Sequence, residues 1–288
     1  MHRLLALLSL FVVIAAEPAS AARLPIVAAE NFYGDIASQI GGAHVTVTSI
    51  LANPDQDPHL FEADASTARA LAQAKIVIVN GADYDPWMEK LLSANKADAR
   101  IEILVAKLAN KKSGDNPHLW YNPDTIKALG QALVAALTKA DPANSADYAA
   151  AGAAFARSLD PLDTRIAAMR KKYAGVPVAA SEPVFGYMAE RLGLDVREQK
   201  FALAVMNNTE PGAAEVGNFE NDLRDFKVKA MLFNQQASEP AVQRLVALAR
   251  QQAIPVIGVS ETEPAGTTYQ DWMLHQLDAL DKALGAPR

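Results

Sequence analysis

The stretch Asn53-Pro54-Asp55-Gln56-Asp57-Pro58-His59-Leu60-Phe61-Glu62 separates two segments of different character. Before it, residues 45–51 (VTVTSIL) are rich in β-branched side chains and predict a strand. After it, the alanine-rich residues 65–74 predict a helix. Pro58 restricts the backbone immediately before His59, so we expect the imidazole on a stiff loop. The sequence therefore predicts a histidine held between the end of a strand and the start of a helix.

A similar phrase returns at Asn116-Pro117-His118-Leu119-Trp120, after a predicted strand at 101–105 and a short polar loop. Pro-His-Leu-aromatic thus occurs twice in a chain that has only five histidines. A single loop histidine usually caps or packs its own loop. Two matching loops instead favour a shared role, in which His59 and His118 bind one metal ion.

Strands and helices alternate in both halves of the chain. The predicted strands are residues 24–28, 45–51, 75–79, 101–105, 176–180, 228–233 and 254–259, and residues 196–204 are expected to be extended. The predicted helices are residues 32–40, 65–74, 87–92, 122–139, 185–192, 210–226, 240–252 and 268–284. This alternation predicts an α/β fold with two lobes, each a mostly parallel sheet flanked by helices.

Residues 143–173 have a different composition, with almost no β-branched side chains. They predict one long helix, bent near Pro161 and ended by Gly175, that joins the two lobes. The expected division is a signal peptide at 1–21, an N-terminal lobe at 22–141, the linking helix at 142–174 and a C-terminal lobe at 175–288.

The first 21 residues predict a secretory signal peptide. Arg3 precedes the apolar run 4–16, and Ala-x-Ala at 19–21 predicts cleavage after Ala21. The apolar run is too short to span a membrane. Cysteine is absent, which excludes disulfides, thiolate ligands and the acylated cysteine of a bacterial lipoprotein. We therefore expect an exported, soluble protein without a membrane anchor, which in a bacterium means the periplasm.

The charged residues are scattered along the chain. Asp and Glu number 33 against 27 Lys and Arg, for a formal net charge of −6. Because no long basic run is present, nucleic acid is not expected as a partner.

Two carboxylates, Glu182 and Glu261, also follow directly after predicted strands. Ligands of parallel α/β sheets bind beyond the carboxyl ends of the strands. His59 and His118 from the first half and these two acids from the second are therefore expected to meet between the lobes. Two alternatives remain open: Glu182 can offset a helix dipole, and Glu261 can be a solvated surface residue, with Glu263 close enough to replace it.

With these residues identified, the chain resembles the metal-specific solute-binding proteins of bacterial ABC importers, which capture zinc, manganese or iron(II). The resemblance covers essentially the whole mature chain and depends on the order and spacing of four segments. These are Asp57-Pro58-His59 with Glu62, Asn116-Pro117-His118-Leu119-Trp120, Ser181-Glu182-Pro183-Val184-Phe185-Gly186-Tyr187 and Val259-Ser260-Glu261-Thr262. It implies a monomer without catalytic activity that captures a divalent metal ion in the periplasm and delivers it to an ABC permease.

The resemblance also implies a four-residue site. His59 and His118 match the family's two histidines, Glu182 falls where the family has His or Glu, and Glu261 falls where it usually has Asp. Nitrogen and oxygen donors admit Mn(II), Fe(II) or Zn(II), and the lack of sulfur argues against Cu(I). Glutamate in place of a third histidine shifts the preference toward Mn(II) or Fe(II), whereas zinc is favoured by the general affinity order. Mn(II) or Zn(II) is therefore the expected ligand, with Mn(II) slightly preferred.

Two other functions are compatible with parts of the pattern. A metallohydrolase would use an open zinc position and a glutamate base, but the sequence contains no His-Glu-x-x-His, Gly-x-Ser-x-Gly or phosphate-binding glycine motif. A protein that binds an organic solute in the same fold would leave both Pro-His loops unexplained.

Overall fold

A computed structural model describes residues 22–54, 61–237 and 239–286. The strands of the first half are β1 (Leu24–Glu30), β2 (Val45–Leu51), β3 (Ile76–Val79) and β4 (Ile101–Leu104). Those of the second half are β5 (Pro177–Ala180), β6 (Asp195–Arg197), β7 (Met231–Asn234) and β8 (Val256–Val259). They form two four-stranded sheets, ordered β2-β1-β3-β4 and β6-β5-β7-β8. Every pairing is parallel, so the predicted two-lobe α/β fold is confirmed.

Helices connect the strands. In the first half they are α1 (Asn31–Gly41), α2 (Ala65–Gln73), α3 (Pro86–Ala94), α4 (Val105–Leu108) and α5 (Pro123–Ala140). Then come α6 (Ser145–Ser158), α7 (Asp160–Tyr173), α8 (Gly186–Leu192), α9 (Gln199–Met206), α10 (Ala213–Arg224), α11 (Pro240–Gln251) and α12 (Tyr269–Gly285). Among the helices described, none combines the length and the apolar composition that crossing a membrane requires.

The segment predicted as one long helix consists of two successive helices, α6 and α7. They meet at Leu159, whose dihedral angles are φ −87° and ψ −11°, two residues before Pro161. Proline lacks an N–H group and its ring crowds the preceding turn, which explains a break at this point. Helix α6 packs against α1 and α5, whereas α7 packs against α8 and α12. The pair thus runs from one lobe to the other, and the lobe boundaries themselves stay a prediction.

The expectation that residues 196–204 are extended is wrong for most of that stretch. Strand β6 ends at Arg197, and helix α9 begins two residues later. The side chains of Phe201, Ala202 and Val205 are buried on one face of this helix. Their spacing fits a helical period, and their burial against the second sheet outweighs the local preference for an extended chain.

Buried aromatic rings join the two lobes. Trp120 lies with its ring centroid 4.6 Å from that of Phe32, and Tyr121 lies 5.2 Å from Phe185 and 5.8 Å from Trp272. The Tyr269 hydroxyl donates to the Trp120 carbonyl oxygen at 2.7 Å. These residues belong to one continuous hydrophobic core that includes side chains of both sheets. The lobes are therefore packed against each other next to the carboxyl ends of the strands.

Candidate metal centre

Three neighbouring strands of the second sheet end in buried polar residues. Glu182 lies just beyond β5, Asn234 is the last residue of β7, and Glu261 lies just beyond β8. Their exposed fractions are 6%, 3% and 2%. Because the strands are parallel neighbours, these side chains share one edge of the sheet. Buried carboxylates need partners that offset their loss of hydration.

The amide of Asn234 bridges the two acids. Its Nδ2 donates to Oε2 of Glu182 at 2.5 Å and to Oε1 of Glu261 at 2.6 Å. Asn234 is a site residue that the sequence reasoning missed. The only indication was its place near the end of a predicted strand, and an asparagine there is also a common strand terminator.

The loop after β8 is held by hydrogen bonds that begin at β7. The backbone N–H of Glu261 donates to the side-chain oxygen of Gln236 at 2.6 Å. The side-chain nitrogen of Gln236 donates to the hydroxyl of Thr262 at 2.9 Å, and its backbone N–H donates to Oδ1 of Asn234 at 3.0 Å. Hydrogen bonds at Glu261 and Thr262 therefore hold the loop that positions the Glu261 carboxylate.

His118 faces this carboxylate from the first lobe. Its side chain is fully buried, and its Nε2 lies 3.3 Å from Oε2 of Glu261. On the other side of the ring, Nδ1 lies 2.6 Å from Oδ1 of Asn116, to which the backbone N–H of His118 also donates. Since Oδ1 is an acceptor, Nδ1 carries the proton of the neutral imidazole. Nε2 is then the ring nitrogen directed toward Glu261, and in the neutral imidazole its lone pair is available to a metal ion.

The Asn-Pro-His loop is attached to the loop of Glu182. The Asn116 amide donates to the carbonyl oxygen of Pro183 at 2.8 Å, and the Tyr187 hydroxyl donates to the carbonyl oxygen of Asn116 at 2.7 Å. A β-carbon at Gly186 would lie 2.8 Å from the Asn116 side-chain nitrogen, so glycine permits this close approach. Contacts between the lobes thus position His118 relative to Glu182.

Aromatic rings line the first-lobe side of the site. The Tyr84 ring lies 6.0 Å from that of His118 and 4.9 Å from that of Trp120. Burial raises the pKa of Tyr84 well above its usual range, and the negative charge of Glu261 raises it further. Tyr84 and His118 are both buried, so electrostatic interactions between them and nearby charges are stronger than in water.

Glu263, the alternative to Glu261, interacts with helix α1. Its backbone N–H donates to the side chain of Asn31 at 3.0 Å, and the Asn31 amide donates back to the Glu263 carbonyl oxygen at 2.7 Å. Burial and the nearby charge of Asp35 raise the pKa of Glu263 to about 9. Both acids are buried, which rules out the solvated surface role for either of them. Glu261 is the one whose carboxylate reaches His118.

The structure brings three of the four predicted ligands into one connected set. His118 is paired with Glu261, and Asn234 connects Glu261 to Glu182. His59, the fourth predicted ligand, lies outside the described residues. Within residues 22–54, 61–237 and 239–286, no group of three or more His, Cys, Asp and Glu side chains is arranged to hold a metal ion.

A groove between the lobes lies beside the site. Its volume is about 350 Å³, and Tyr84 forms part of its wall. The other lining residues include Phe61, Asp83 and Trp87 from the first lobe and Asn207 and Asn208 from the second. The groove therefore places solvent next to the aromatic side of the candidate site.

Comparison with known proteins relates the chain to metal-binding proteins of bacteria. A putative metal-binding protein of Treponema pallidum is 23% identical over 285 residues, which cover 91% of this chain and 87% of that protein. The manganese-binding lipoprotein MntA of Bacillus subtilis is 24% identical over 283 residues, covering 91% and 90%. The high-affinity zinc uptake system protein ZnuA of Paracoccus denitrificans is 22% identical over 216 residues, covering 61% and 65%.

Solved structures share the fold. The periplasmic zinc-binding protein TroA from Treponema pallidum aligns with a TM-score of 0.77 at 20% identity, covering 91% of this chain and 99% of that one. A manganese-bound periplasmic metal-binding protein (S38A mutant) from Candidatus Liberibacter asiaticus aligns with a TM-score of 0.74 at 20% identity, covering 91% and 100%. The sequence model of the family described as zinc-uptake complex component A, periplasmic, matches residues 26–283. Since this match spans most of the chain, the protein belongs to the ZnuA family of periplasmic metal-uptake components.

Proposed function

We propose that this protein captures a divalent transition-metal ion in the periplasm and delivers it to an ABC-type permease. The observation that carries the proposal is the buried contact of His118 Nε2 with Glu261 Oε2 at 3.3 Å, joined through Asn234 to Glu182. Membership of a metal-uptake family and the metal-binding names of the relatives support it. Export by cleavage after Ala21 and a monomeric, unanchored state are part of the proposal.

The proposed ligands are His59, His118, Glu182 and Glu261. Two neutral imidazoles and two carboxylates balance the charge of a divalent ion. Burying two carboxylates at one sheet edge is costly, and an ion bound between them offsets that cost. The fixed tautomer of His118, with Nδ1 donating to Asn116, supports its role as a ligand.

The proposed cargo is Mn(II) or Zn(II), with Fe(II) as a third candidate. Nitrogen and oxygen donors suit all three ions. Zinc favours four tetrahedral bonds, whereas additional oxygen donors favour manganese. The relatives include a protein named for manganese binding and one named for zinc uptake, in agreement with either cargo.

Binding without turnover fits the buried site and the joined lobes. The Tyr121 hydroxyl donates to the Ser260 carbonyl oxygen at 2.9 Å, across the lobes, next to Glu261. Such contacts favour a small opening movement for ion release over a wide hinge motion. Nothing in the comparisons supports the alternative of a metallohydrolase, because the matches described above are uptake and metal-binding components.

The test is thermal unfolding of metal-stripped protein with each ion added back. An ion at 100 times its Kd stabilises the folded state by about 2.7 kcal/mol, which raises the melting temperature. His118→Ala should abolish the rise. His44→Ala is the matched control, because the His44 imidazole contacts the exposed Asp147 at 2.9 Å, outside the candidate site. A wild-type melting temperature that does not respond to Mn(II), Zn(II) or Fe(II) would overturn the proposal.

The ion carried in the cell is identified by elemental analysis of protein purified from its native periplasm. One equivalent of manganese, zinc or iron per chain is expected. His118→Ala purified from the same source is the control for contaminating metal. Only the wild-type protein should retain the bound ion.

A further inference from the structure

The Asn234 side-chain amide has two N–H groups, and each points at a different acid. One donates to Oε2 of Glu182 at 2.5 Å and the other to Oε1 of Glu261 at 2.6 Å. Both hydrogen atoms of the amide are thereby used. Each acid has one of its two carboxylate oxygens engaged by the same side chain.

Asn234 itself has little freedom to move. Its side-chain oxygen accepts the backbone N–H of Gln236 at 3.0 Å, and its own backbone N–H donates to the Ser181 hydroxyl at 3.1 Å. It ends β7, the strand that lies between β5 and β8 in the sheet. A buried side chain held at these points cannot follow a carboxylate that rotates away from it.

The two oxygens of Glu261 have different surroundings. Oε1 accepts from Asn234, whereas Oε2 lies 3.3 Å from Nε2 of His118. The oxygen that faces the proposed histidine ligand is thus the one that Asn234 does not engage. If Glu261 turned to bind an ion through both oxygens, Oε1 would have to move away from the Asn234 amide that holds it.

We infer that Asn234 is a positioning residue that restricts Glu182 and Glu261 to one metal-binding oxygen each. The inference rests on the proposed function, in which both acids are ligands. Two single-oxygen carboxylates and two imidazoles make four donors, the number that Zn(II) adopts in tetrahedral sites. Mn(II) favours more oxygen donors in octahedral sites, which carboxylates binding through both oxygens would provide. Asn234 therefore favours Zn(II) over Mn(II).

A purely structural role for Asn234 predicts a different result. If the amide only stabilised the edge of the sheet, its loss would weaken the binding of both ions by the same factor. The ratio of the two dissociation constants separates these cases, because a general loss of stability cancels in it.

The test compares Asn234→Ala and Asn234→Thr with wild type. Alanine removes both donors, whereas the threonine hydroxyl can still donate to one acid. Dissociation constants for Mn(II) and Zn(II) are measured by competition with chelators at one pH. In Asn234→Ala the ratio of the Mn(II) to the Zn(II) constant should fall about tenfold, a change of one decade in relative affinity. In Asn234→Thr it should fall by a smaller factor.

Tyr148→Phe is the matched control. It removes a hydrogen bond of a buried side chain, to Asp141 at 2.7 Å, that lies outside the candidate site, so the ratio should stay at the wild-type value. X-ray absorption spectra of the manganese- and zinc-loaded proteins give a second readout. Extra oxygen neighbours should appear around the metal in Asn234→Ala and be absent in Tyr148→Phe.

An unchanged ratio and unchanged metal–oxygen number in the folded Asn234 variants would overturn the inference. If Asn234→Ala does not fold, the result for Asn234→Thr decides. Wild-type protein that binds neither ion would overturn the proposed function itself. If wild type binds both ions but the Asn234 variants leave the ratio of the two dissociation constants unchanged, only the role of Asn234 is refuted.

Discussion

The two nitrogens of the His118 ring make different contacts. Nδ1 donates to Asn116, and Nε2 is directed at Glu261. An imidazole without such a partner would exchange between tautomers and rotate, and only part of its population would present Nε2 to an ion. At the scale of a residue, the asparagine of the Asn-Pro-His loop therefore determines whether the histidine is a competent ligand.

We expect Asn116→Ala to weaken metal binding about 10–100-fold, the usual effect of removing a hydrogen-bond partner from a metal-binding histidine. Competition titration with a chelator measures the change. Tyr187→Phe is the control, since it removes the bond to the Asn116 backbone but leaves the contact of Asn116 with His118. If Asn116→Ala binds the ion as tightly as Tyr187→Phe, the proposed role of Asn116 is wrong.

Glu30 provides a test of pH dependence. It ends β1 and is fully buried, and burial together with the adjacent Asp85 carboxylate raises its pKa well above the usual range. The folded state therefore holds a proton that the unfolded state releases above about pH 4.3. This contribution to stability is present in full below that pH and is lost as the pH rises through the raised pKa.

Glu30→Gln replaces the protonated acid by a neutral side chain of the same shape, so it should remove this loss. As the pH rises from 5 to 8, the free energy of unfolding of the variant should increase by about 1–3 kcal/mol relative to that of wild type. Urea unfolding at both pH values measures the difference. If the free energy of unfolding changes equally in wild type and Glu30→Gln between these pH values, Glu30 is ionised in the folded state.

At the scale of elements, most strands and helices could be predicted because their boundaries are marked locally. Strand β2 runs from Val45 to Leu51, as its β-branched residues indicate, and Asn122 caps α5 by accepting the N–H of Asp124. The positions of Glu182 and Glu261 after strands followed from the same reasoning. Asn234 could not be identified, because its role depends on which strands are neighbours, and strand order is not encoded locally.

Helix α9 was missed for a related reason. Residues 196–204 carry several apolar side chains that suit a strand or a helix, and burial of one face decides between them. Phe201 is fully buried, and its ring packs edge-on against Phe219 at 5.1 Å. Local composition does not specify which face becomes buried.

Phe201→Ala should therefore destabilise the protein by about 3–5 kcal/mol, the usual cost of truncating a buried phenylalanine. Leu203→Ala, two residues away at an exposed position, should change the stability by less than about 0.5 kcal/mol. Chemical unfolding monitored by circular dichroism compares the two. In a strand, residues two apart point to the same face, so similar losses for both variants would contradict the helix.

At the scale of the whole molecule, the largest hydrophobic core spans the two lobes, and each lobe also has a smaller cluster of its own. Tyr269 of α12 donates to the backbone of Trp120, and Tyr121 donates to the loop of Glu261. The Tyr121 ring also lies 5.8 Å from that of Trp272, so aromatic rings of the two lobes meet there. Because the proposed site takes ligands from both lobes, its geometry depends on the two lobes remaining packed together.

We therefore expect metal-free protein to unfold in one cooperative transition. Circular dichroism, which follows the helices of both lobes, and tryptophan fluorescence, which follows Trp87, Trp120 and Trp272, should give coincident curves. A bound ion should move both curves together, because it contacts ligands from each lobe in the proposed site. Two separate transitions, with only one shifted by metal, would mean that the lobes fold independently and that the ion is held by one of them alone.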